Sequence, residues 1–211
     1  MYLTRAIRQQ GAVSGFRYAF KRATTKEHFQ GIVAVQRDCF ASPKERTTAN
    51  ALEAMQNYKG GDIHKFVIEA SSSALDLPEN YLPKTHVNRT VAAYILYNLH
   101  KEEGAHIISI GTSPSHQKQG HGIQLMNWCL AHARDTGCDK ATLKVRASNF
   151  PALSLYERLG FEHVDTTLEY YSTPVEDALE LSLNLPSSED IGATTDQSLF
   201  TIEPMVNIGL S

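Results

Sequence analysis

The sequence predicts a single α/β domain of the α+β kind, in which a twisted mixed sheet is flanked by helices. The chain has 211 residues, of which 42% are hydrophobic, enough for the core of one ordinary domain. Segments with the two-residue alternation of strands are interspersed with segments of helical spacing. No apolar run approaches the roughly 18 residues of a membrane-spanning helix, so no membrane is expected as a partner.

The charge of the chain argues against nucleic acid as a partner. A formal net charge of −3 gives no general attraction to nucleic acid or to anionic lipid. Residues 1–26 carry six Lys or Arg and no acid, a pattern shared with mitochondrial presequences. This basic stretch runs directly into a plausible strand at Gly15–Arg22, which favours a mature N-terminus over a leader.

The three cysteines, Cys39, Cys129 and Cys138, form an odd set without CxxC spacing. We therefore expect neither a disulfide framework nor a zinc–thiolate site. Free cysteines are typical of a reducing compartment, so we expect a cytoplasmic protein. The nine His include no i,i+4 pair with a carboxylate partner. The sequence thus predicts no metal site.

The first half of the chain predicts alternating strands and helices. We expect first a strand at Phe16–Ala23, then a helix capped by Thr24–Thr25 and ending near Phe40, and a second helix from Ser42-Pro43 to Tyr58. A short strand at Lys65–Ala70 and a polar loop over Ser71–Thr90 follow. Two strands, at Val91–His100 and His106–Thr112, are then joined by a turn at Lys101–Gly104.

The second half is more regular. It predicts a helix at Gly120–Thr136 ended by Gly137, a strand at Lys140–Ala147, a helix at Pro151–Leu159 ended by Gly160, and two closing strands at Phe161–Tyr171 and Ala178–Leu185. No repeat or interdomain linker is visible. We therefore expect one domain over residues 1–185 and a polar tail over 186–211.

The strand at His106–Thr112 is followed by a glycine-containing turn that opens a helix. The residues of this turn are Gln117, Lys118, Gln119, Gly120, His121 and Gly122. Unpaired backbone N–H groups meet the positive end of a helix dipole there, which predicts a phosphate or pyrophosphate site. Gly120 and Gly122 lack a Cβ, so a ligand can approach the backbone closely. From these residues alone, an ordinary strand-to-helix turn remains the alternative.

A second group of residues lies about 30 positions later, at Asn149, Ala152 and Tyr156. Together with Gln117, Gly120 and Gly122, it resembles two motifs of the GNAT superfamily of acyl-CoA N-acetyltransferases, Q/R-x-x-G-x-G/A and Asn-x-x-Ala-x-x-x-Tyr. The resemblance covers residues 106–185 and is closest to the ribosomal-protein-alanine and other N-terminal protein acetyltransferases. It implies the GNAT fold for the whole domain.

The resemblance also implies roles for individual residues, with acetyl-CoA as co-substrate. The backbone of Ile110, Gly111 and Thr112 would bind the pantetheine arm, and the N–H groups of residues 117–122 the pyrophosphate. Asn149 would contact the cofactor arm, and Tyr156 would protonate the departing thiolate. A thiol pKa of about 8.5 lets a phenol near 10 supply that proton without a large shift.

One departure from the family pattern concerns the general base. In the alanine acetyltransferases the residue five positions before the motif asparagine is a glutamate that serves as base, but here it is Lys144. The carboxylate used elsewhere in the superfamily falls near Ile108 and is also absent. A lysine accepts a proton at neutral pH only if its pKa is strongly lowered. The base is therefore unassigned, with His106, His116 and His121 as candidate proton relays.

The expected acceptor is the N-terminal amine of a protein or peptide. At pH 7.4 an α-amine with a pKa of about 7.8 is roughly a quarter neutral, against about 0.1% for a lysine side chain. An enzyme without a carboxylate base therefore handles α-amines more easily. The alternatives are a small amine such as a polyamine, or a CoA-binding module that has lost catalysis. Tyr170 and Tyr171 are candidates for the acceptor entrance, but as neighbours on a strand they are expected to point to opposite faces, so that at most one of them lines it.

Overall fold

The computed structural model describes residues 16–40, 42–55, 62–72 and 88–186. Its strands are β1 (Phe16–Arg22), β2 (Asp62–Ser72), β3 (Asn88–His100), β4 (Gly104–Thr112), β5 (Lys140–Arg146), β6 (Glu162–Ser172) and β7 (Val175–Asn184). The helices are α1 (Lys26–Cys39), α2 (Ala49–Ala54), α3 (His121–Asp135) and α4 (Phe150–Arg158). The strands form one sheet of order β1-β2-β3-β4-β5-β7-β6, in which only β4 and β5 are parallel. The predicted mixed sheet with flanking helices is confirmed.

The sheet is buried on both faces around its centre. Strand β3 shows this most clearly, because alternate side chains point to opposite faces. Tyr94 and Leu96 pack with α1 and α2, whereas Ile95 and Tyr97 pack with α3. Helices α1 and α2 therefore cover one face of the sheet, and α3 and α4 cover the other.

The helix ends follow the predicted capping residues. The Thr25 hydroxyl accepts a hydrogen bond from the backbone N–H of His28 at 3.3 Å and caps α1. Gly137 after α3 and Gly160 after α4 have φ values of +81° and +87°. Such positive φ values favour glycine, so both residues end their helices as expected.

The predicted second helix, from Ser42 to Tyr58, is wrong in its continuity. Pro43–Glu45 forms a single 3₁₀ turn, the chain is irregular over 46–48, and α2 begins only at Ala49. The side-chain oxygen of buried Gln36 accepts the backbone N–H of Thr47 at 2.8 Å. That bond from α1 diverts the backbone from a helix, and Thr48 then caps α2.

Other boundaries differ by extension. Strands β2 and β3 reach into the predicted 71–90 loop from both sides, and β7 begins three residues earlier than expected because Val175 pairs with Ser172. Residues 73–87, the basic N-terminal stretch to residue 15 and the tail from 187 lie outside the described residues. Among the helices that are described, none has the length and apolar character needed to cross a bilayer.

The close approach of α1 to the sheet depends on Gly31. A Cβ at this position would collide with the Cγ2 of Val91 and lie 2.8 Å from its Cβ. Although alanine normally favours a helix over glycine by about 1 kcal/mol, we expect Gly31→Ala to lower the free energy of unfolding by about 1–3 kcal/mol. Urea denaturation measures this. A Gly31→Ala/Val91→Ala double variant should recover part of the loss, and a single variant as stable as the wild type would contradict the packing.

Candidate functional site

The sheet opens between its two parallel strands. Strands β4 and β5 pair at Ala105–Ile107 and Ala141–Leu143, and the described remainder of the two strands shows no further pairing. On its other edge, β4 shifts register against β3 between Ile107 and Ser109, so that Ile108 is an extra residue. Such a bulge bends a strand and increases its twist. The bulge at Ile108 therefore coincides with the start of the opening.

Ile110, Gly111 and Thr112 line the β4 side of this opening. One backbone edge pairs with β3 and the other faces the opening. A Cβ on Gly111 would come within 2.8 Å of the Tyr94 ring, so this glycine accommodates Tyr94 on the α1 face. The carbonyl oxygen of Thr112 accepts the side-chain N–H of Gln117 at 3.3 Å, which ties the strand to the following turn.

The turn that follows β4 presents backbone N–H groups at the start of α3. Gly120 is the N-cap residue with φ +80°, and no side chain in the described parts of the chain caps the helix there. Lys118 also has a positive φ, of 59°. A Cβ on Gly120 would meet nothing closer than 3.9 Å. The turn thus combines open space with uncapped donors, as an anion site requires.

Gly122 serves a different purpose. A Cβ at this position would point at the Leu155 side chain, 3.4 Å away. The missing side chain therefore lets α3 approach α4 rather than opening a path for a ligand.

Tyr18 of β1 supports the turn from below. Its hydroxyl donates to the Gln119 side-chain oxygen at 2.6 Å and lies 3.1 Å from Nδ1 of His116. The His121 ring contacts the Tyr18 ring with centroids 4.5 Å apart. Burial lowers the pKa of both histidines, and His116 lowers that of His121 further. The side chains of Gln119 and His121 thus pack against Tyr18 of β1, beneath the turn.

Tyr156 lies on the α4 side of the opening. Its side chain is buried and its ring packs on Phe161, with centroids 5.8 Å apart. Burial raises the pKa of Tyr156 well above its ordinary value, and interaction with Tyr171 raises it further. Tyr156 also interacts electrostatically with Tyr94, which packs on the opposite face. The hydroxyl is therefore protonated, and it lies within electrostatic range of Tyr94 and Tyr171.

Asn149 has a structural role at the start of α4. Its side-chain oxygen accepts the backbone N–H of Ala152 at 3.3 Å and caps the helix. The residue is exposed, and the cap fixes its position at the end of the β5–α4 connection. This bond orients the helix that carries Tyr156.

An arginine-centred cluster, Glu45–Arg146–Glu176, lies on the α1/α2 face of the sheet. The guanidinium contacts the Glu45 carboxylate at 2.6 Å and that of Glu176 at 3.0 Å. It also lies 4.1 Å from the centre of the Tyr171 ring. Hydrogen bonds from Ser148 and Arg146 hold the pKa of Glu176 below its ordinary value. The cluster therefore ties the 3₁₀ turn at residues 43–45 to the β6–β7 hairpin.

Lys144 carries the second basic side chain on this face. Its ammonium lies 3.1 Å from the Thr167 hydroxyl, 3.5 Å from the Glu180 carboxylate and 5.0 Å from the centre of the Tyr170 ring. Tyr170 therefore packs on the same face as Tyr171, and the expectation of opposite faces is wrong. A register irregularity over Thr167–Tyr171, with φ +51° at Glu169, breaks the alternation.

The β4 edge leads into the turn, and α4, which carries Tyr156, packs on α3 at Gly122. Of the three candidate histidines, His116 and His121 lie together and His106 lies apart. His106 lies on β4 and bonds the Thr142 hydroxyl at 3.1 Å, away from His116 and His121. Sequence reasoning missed Tyr18, Arg146 and Glu180, whose partners lie as many as 101 residues away. Within the described ranges, no group of His, Cys, Asp or Glu is arranged to hold a metal ion.

Comparison with known proteins agrees with this arrangement. The family described as "Acetyltransferase (GNAT) family" matches residues 48–161. The chain is 32% identical over 123 residues to the ribosomal protein bS18-alanine N-acetyltransferase of Escherichia coli strain K12, covering 57% of this chain and 82% of that protein. Two solved structures of Arabidopsis thaliana NAA60 share the fold with TM-scores of 0.62. One, in complex with a bisubstrate analogue, is 18% identical, and covers 81% of this chain and 99% of that chain. The other, with acetyl-CoA, is 17% identical, and covers 80% and 98%.

Removing the arginine of the cluster tests how it holds the turn at residues 43–45. Arg146→Met leaves two carboxylates facing each other without a cation, so we expect the turn to detach from the hairpin. Backbone amides of residues 44–46 should then exchange hydrogen at least about tenfold faster than in the wild type, and the melting temperature should fall. Arg158→Met, on the exposed face of α4, is the matched control. Unchanged exchange in Arg146→Met would show that the cluster does not hold the turn.

Proposed function

The chain belongs to the acetyltransferase (GNAT) family, and on that premise we propose that it transfers the acetyl group of acetyl-CoA to the N-terminal α-amine of a polypeptide. The observation that carries this is the opening between β4 and β5, with uncapped N–H groups after β4 and buried Tyr156 on the helix that follows β5. Acetyl-CoA supplies the activated acyl group as a thioester. The chain's own residues bind it, orient it and move the protons.

The opening fits a coenzyme with a narrow arm and an anionic end. We assign the arm to the free backbone edge of Ile110, Gly111 and Thr112, because exposed strand edges bind amides by hydrogen bonds. The pyrophosphate is assigned to the backbone N–H groups of the turn, which comprises Gln117, Lys118, Gln119, Gly120, His121 and Gly122. Open space at Gly120 supports this assignment. Asn149, exposed at the start of α4, is assigned to the arm.

Tyr156 is assigned as the general acid. Its hydroxyl is protonated at neutral pH and has a proton to donate to the leaving sulfur, but burial, by raising its pKa, makes it a weaker acid than a free phenol. A thiolate that forms in the same dry surroundings is poorly solvated and accepts that proton readily. No covalent acyl-enzyme is required. Among the cysteines, Cys129 is buried in the core and Cys39 donates its thiol proton to the Thr112 carbonyl.

The acceptor is assigned to the α1/α2 face of the opening. We assign its border to the Tyr170 and Tyr171 rings, whose centroids are 5.0 Å apart, and to the Lys144 ammonium, 5.0 Å from the centre of the Tyr170 ring. One feature supports a polypeptide acceptor: the chain is 32% identical over 123 residues to an enzyme named as a ribosomal protein bS18-alanine N-acetyltransferase.

The direct test is thiol release from acetyl-CoA with a panel of N-terminal peptides, polyamines and aminoglycosides. We expect turnover on peptides, and its loss when their α-amine is blocked. Turnover confined to small amines would support acetyl transfer but refute the assignment of a polypeptide α-amine as the acceptor. Acetyl-CoA binding without turnover on any amine would favour a binding module that has lost catalysis.

Substitution of the general acid should slow the chemical step without weakening binding. Tyr156→Phe removes only the proton donor, so we expect kcat to fall by about 10²- to 10⁴-fold while the Kd for acetyl-CoA stays within about twofold. Tyr97→Phe is the control, because that buried hydroxyl bonds His132 at 2.7 Å, away from the opening. Steady-state kinetics and calorimetry measure both quantities. A Tyr156→Phe enzyme with wild-type kcat would refute the assigned role.

Removal of the Tyr18 hydroxyl, which supports the turn, should weaken acetyl-CoA binding without slowing the chemical step. Tyr18→Phe keeps the ring contacts with His121 but removes the bonds to Gln119 and His116. Since these bonds hold the turn in shape, we expect the Kd for acetyl-CoA to rise by about 3- to 10-fold with little change in kcat. Calorimetric titration checks this. An unchanged Kd would mean that the turn keeps its shape without β1.

A further inference from the structure

The proposed transfer needs an acceptor for the amine proton, and the strand position that would supply it carries an ammonium group. The acceptor amine must lose a proton as it bonds to the acetyl carbon. Lys144 is the first residue of β5 beyond its pairing with β4, and therefore borders the opening. A lysine ammonium has no lone pair with which to take that proton.

The neighbouring strand carries a carboxylate close to Lys144. Glu180 of β7 is the direct antiparallel partner of Lys144. Paired residues of antiparallel strands project from the same face. The Glu180 carboxylate lies 3.5 Å from the Lys144 ammonium, which extends across β7 as far as the Thr167 hydroxyl of β6.

We propose that Glu180 is the proton acceptor of the reaction, with its carboxylate positioned beside the opening by Lys144. This inference rests on the proposed function and assigns the base of the same site. Compared with a glutamate at position 144 of β5, this carboxylate is one strand farther from the opening, on β7. Position 144 itself is occupied by lysine.

The surroundings of Glu180 suit this role. About a third of its side chain is exposed, so water reaches it and can carry the proton away. Lys144 is held in place from β6 by the Thr167 hydroxyl at 3.1 Å. His106, on β4, interacts electrostatically with both Glu180 and Lys144. The Glu180 carboxylate thus pairs with the Lys144 ammonium and lies within electrostatic range of His106.

The proton balance closes with the residues assigned above. The amine nitrogen bonds to the acetyl carbon as the bond from that carbon to sulfur breaks. One proton leaves the nitrogen for Glu180, and Tyr156 gives one proton to the sulfur. Transfer through solvent from the Glu180 carboxyl to the Tyr156 phenolate restores both groups. The products are one amide and one thiol.

The experiment compares Glu180→Gln with Lys144→Gln, because each breaks the same ion pair but only the first removes the carboxylate. With a peptide that the wild type acetylates, we expect kcat to fall by about 10²- to 10³-fold in Glu180→Gln. Lys144→Gln keeps that carboxylate and removes only its positioning partner, so we expect a smaller fall in kcat, of about 3- to 10-fold. The Kd for acetyl-CoA and the melting temperature are measured for each variant.

A third variant tests whether the fall in kcat of Glu180→Gln is caused by a lysine left without its ion-pair partner. Lys144→Gln/Glu180→Gln replaces the charged pair by two amides and leaves no charge without a partner, and we expect it to be as slow as Glu180→Gln. Wild-type kcat in either variant without the carboxylate would overturn the proposal. Equal losses in Glu180→Gln and Lys144→Gln would overturn it too, because the pair would then be structural. A wild type inactive on every amine would refute the proposed function as well, and this proposal with it.

Discussion

The loss of pairing between β4 and β5 is the feature on which the rest of the site depends. Two parallel strands at the centre of a sheet normally bond along their whole length, and their backbone groups are then unavailable to a ligand. Here the extra residue Ile108 coincides with the point where pairing stops. The end of the bulged strand then leads into the turn at Gly120. One irregular residue thus precedes both an open backbone edge and an uncapped helix terminus.

Local signals in the sequence were sufficient for most of the fold and for one half of the site. Helix caps at Thr25, Gly137 and Gly160 depend on a few neighbouring residues, and the structure confirms them. The turn at Gly120 and the helix that carries Tyr156 were visible for the same reason. Prediction failed at the 46–48 interruption, because the Gln36 side chain that causes it comes from another helix.

The contacts that shape the site from outside were not predictable from sequence. Tyr18 reaches Gln119 across 101 residues of chain, and Arg146 reaches Glu45 across the same separation. The relation between Lys144 and Glu180 depends on the register of two strands that are separated by a helix and a third strand. Sequence reasoning identified Lys144 as the departure from the family pattern, but only the register shows which carboxylate lies opposite it. The two tyrosines on one face likewise depend on a strand irregularity that has no local signature.

The most direct test of the account is amide hydrogen exchange of the whole chain with and without acetyl-CoA. Because the coenzyme is assigned to backbone groups, its binding should slow exchange by at least about tenfold at Ile110–Thr112 and over residues 117–122. Exchange in β2, on the far side of β3, should not change. Protection confined to other parts of the chain, or none in these two segments, would contradict the central claim that the bulged strand and the turn form the coenzyme site.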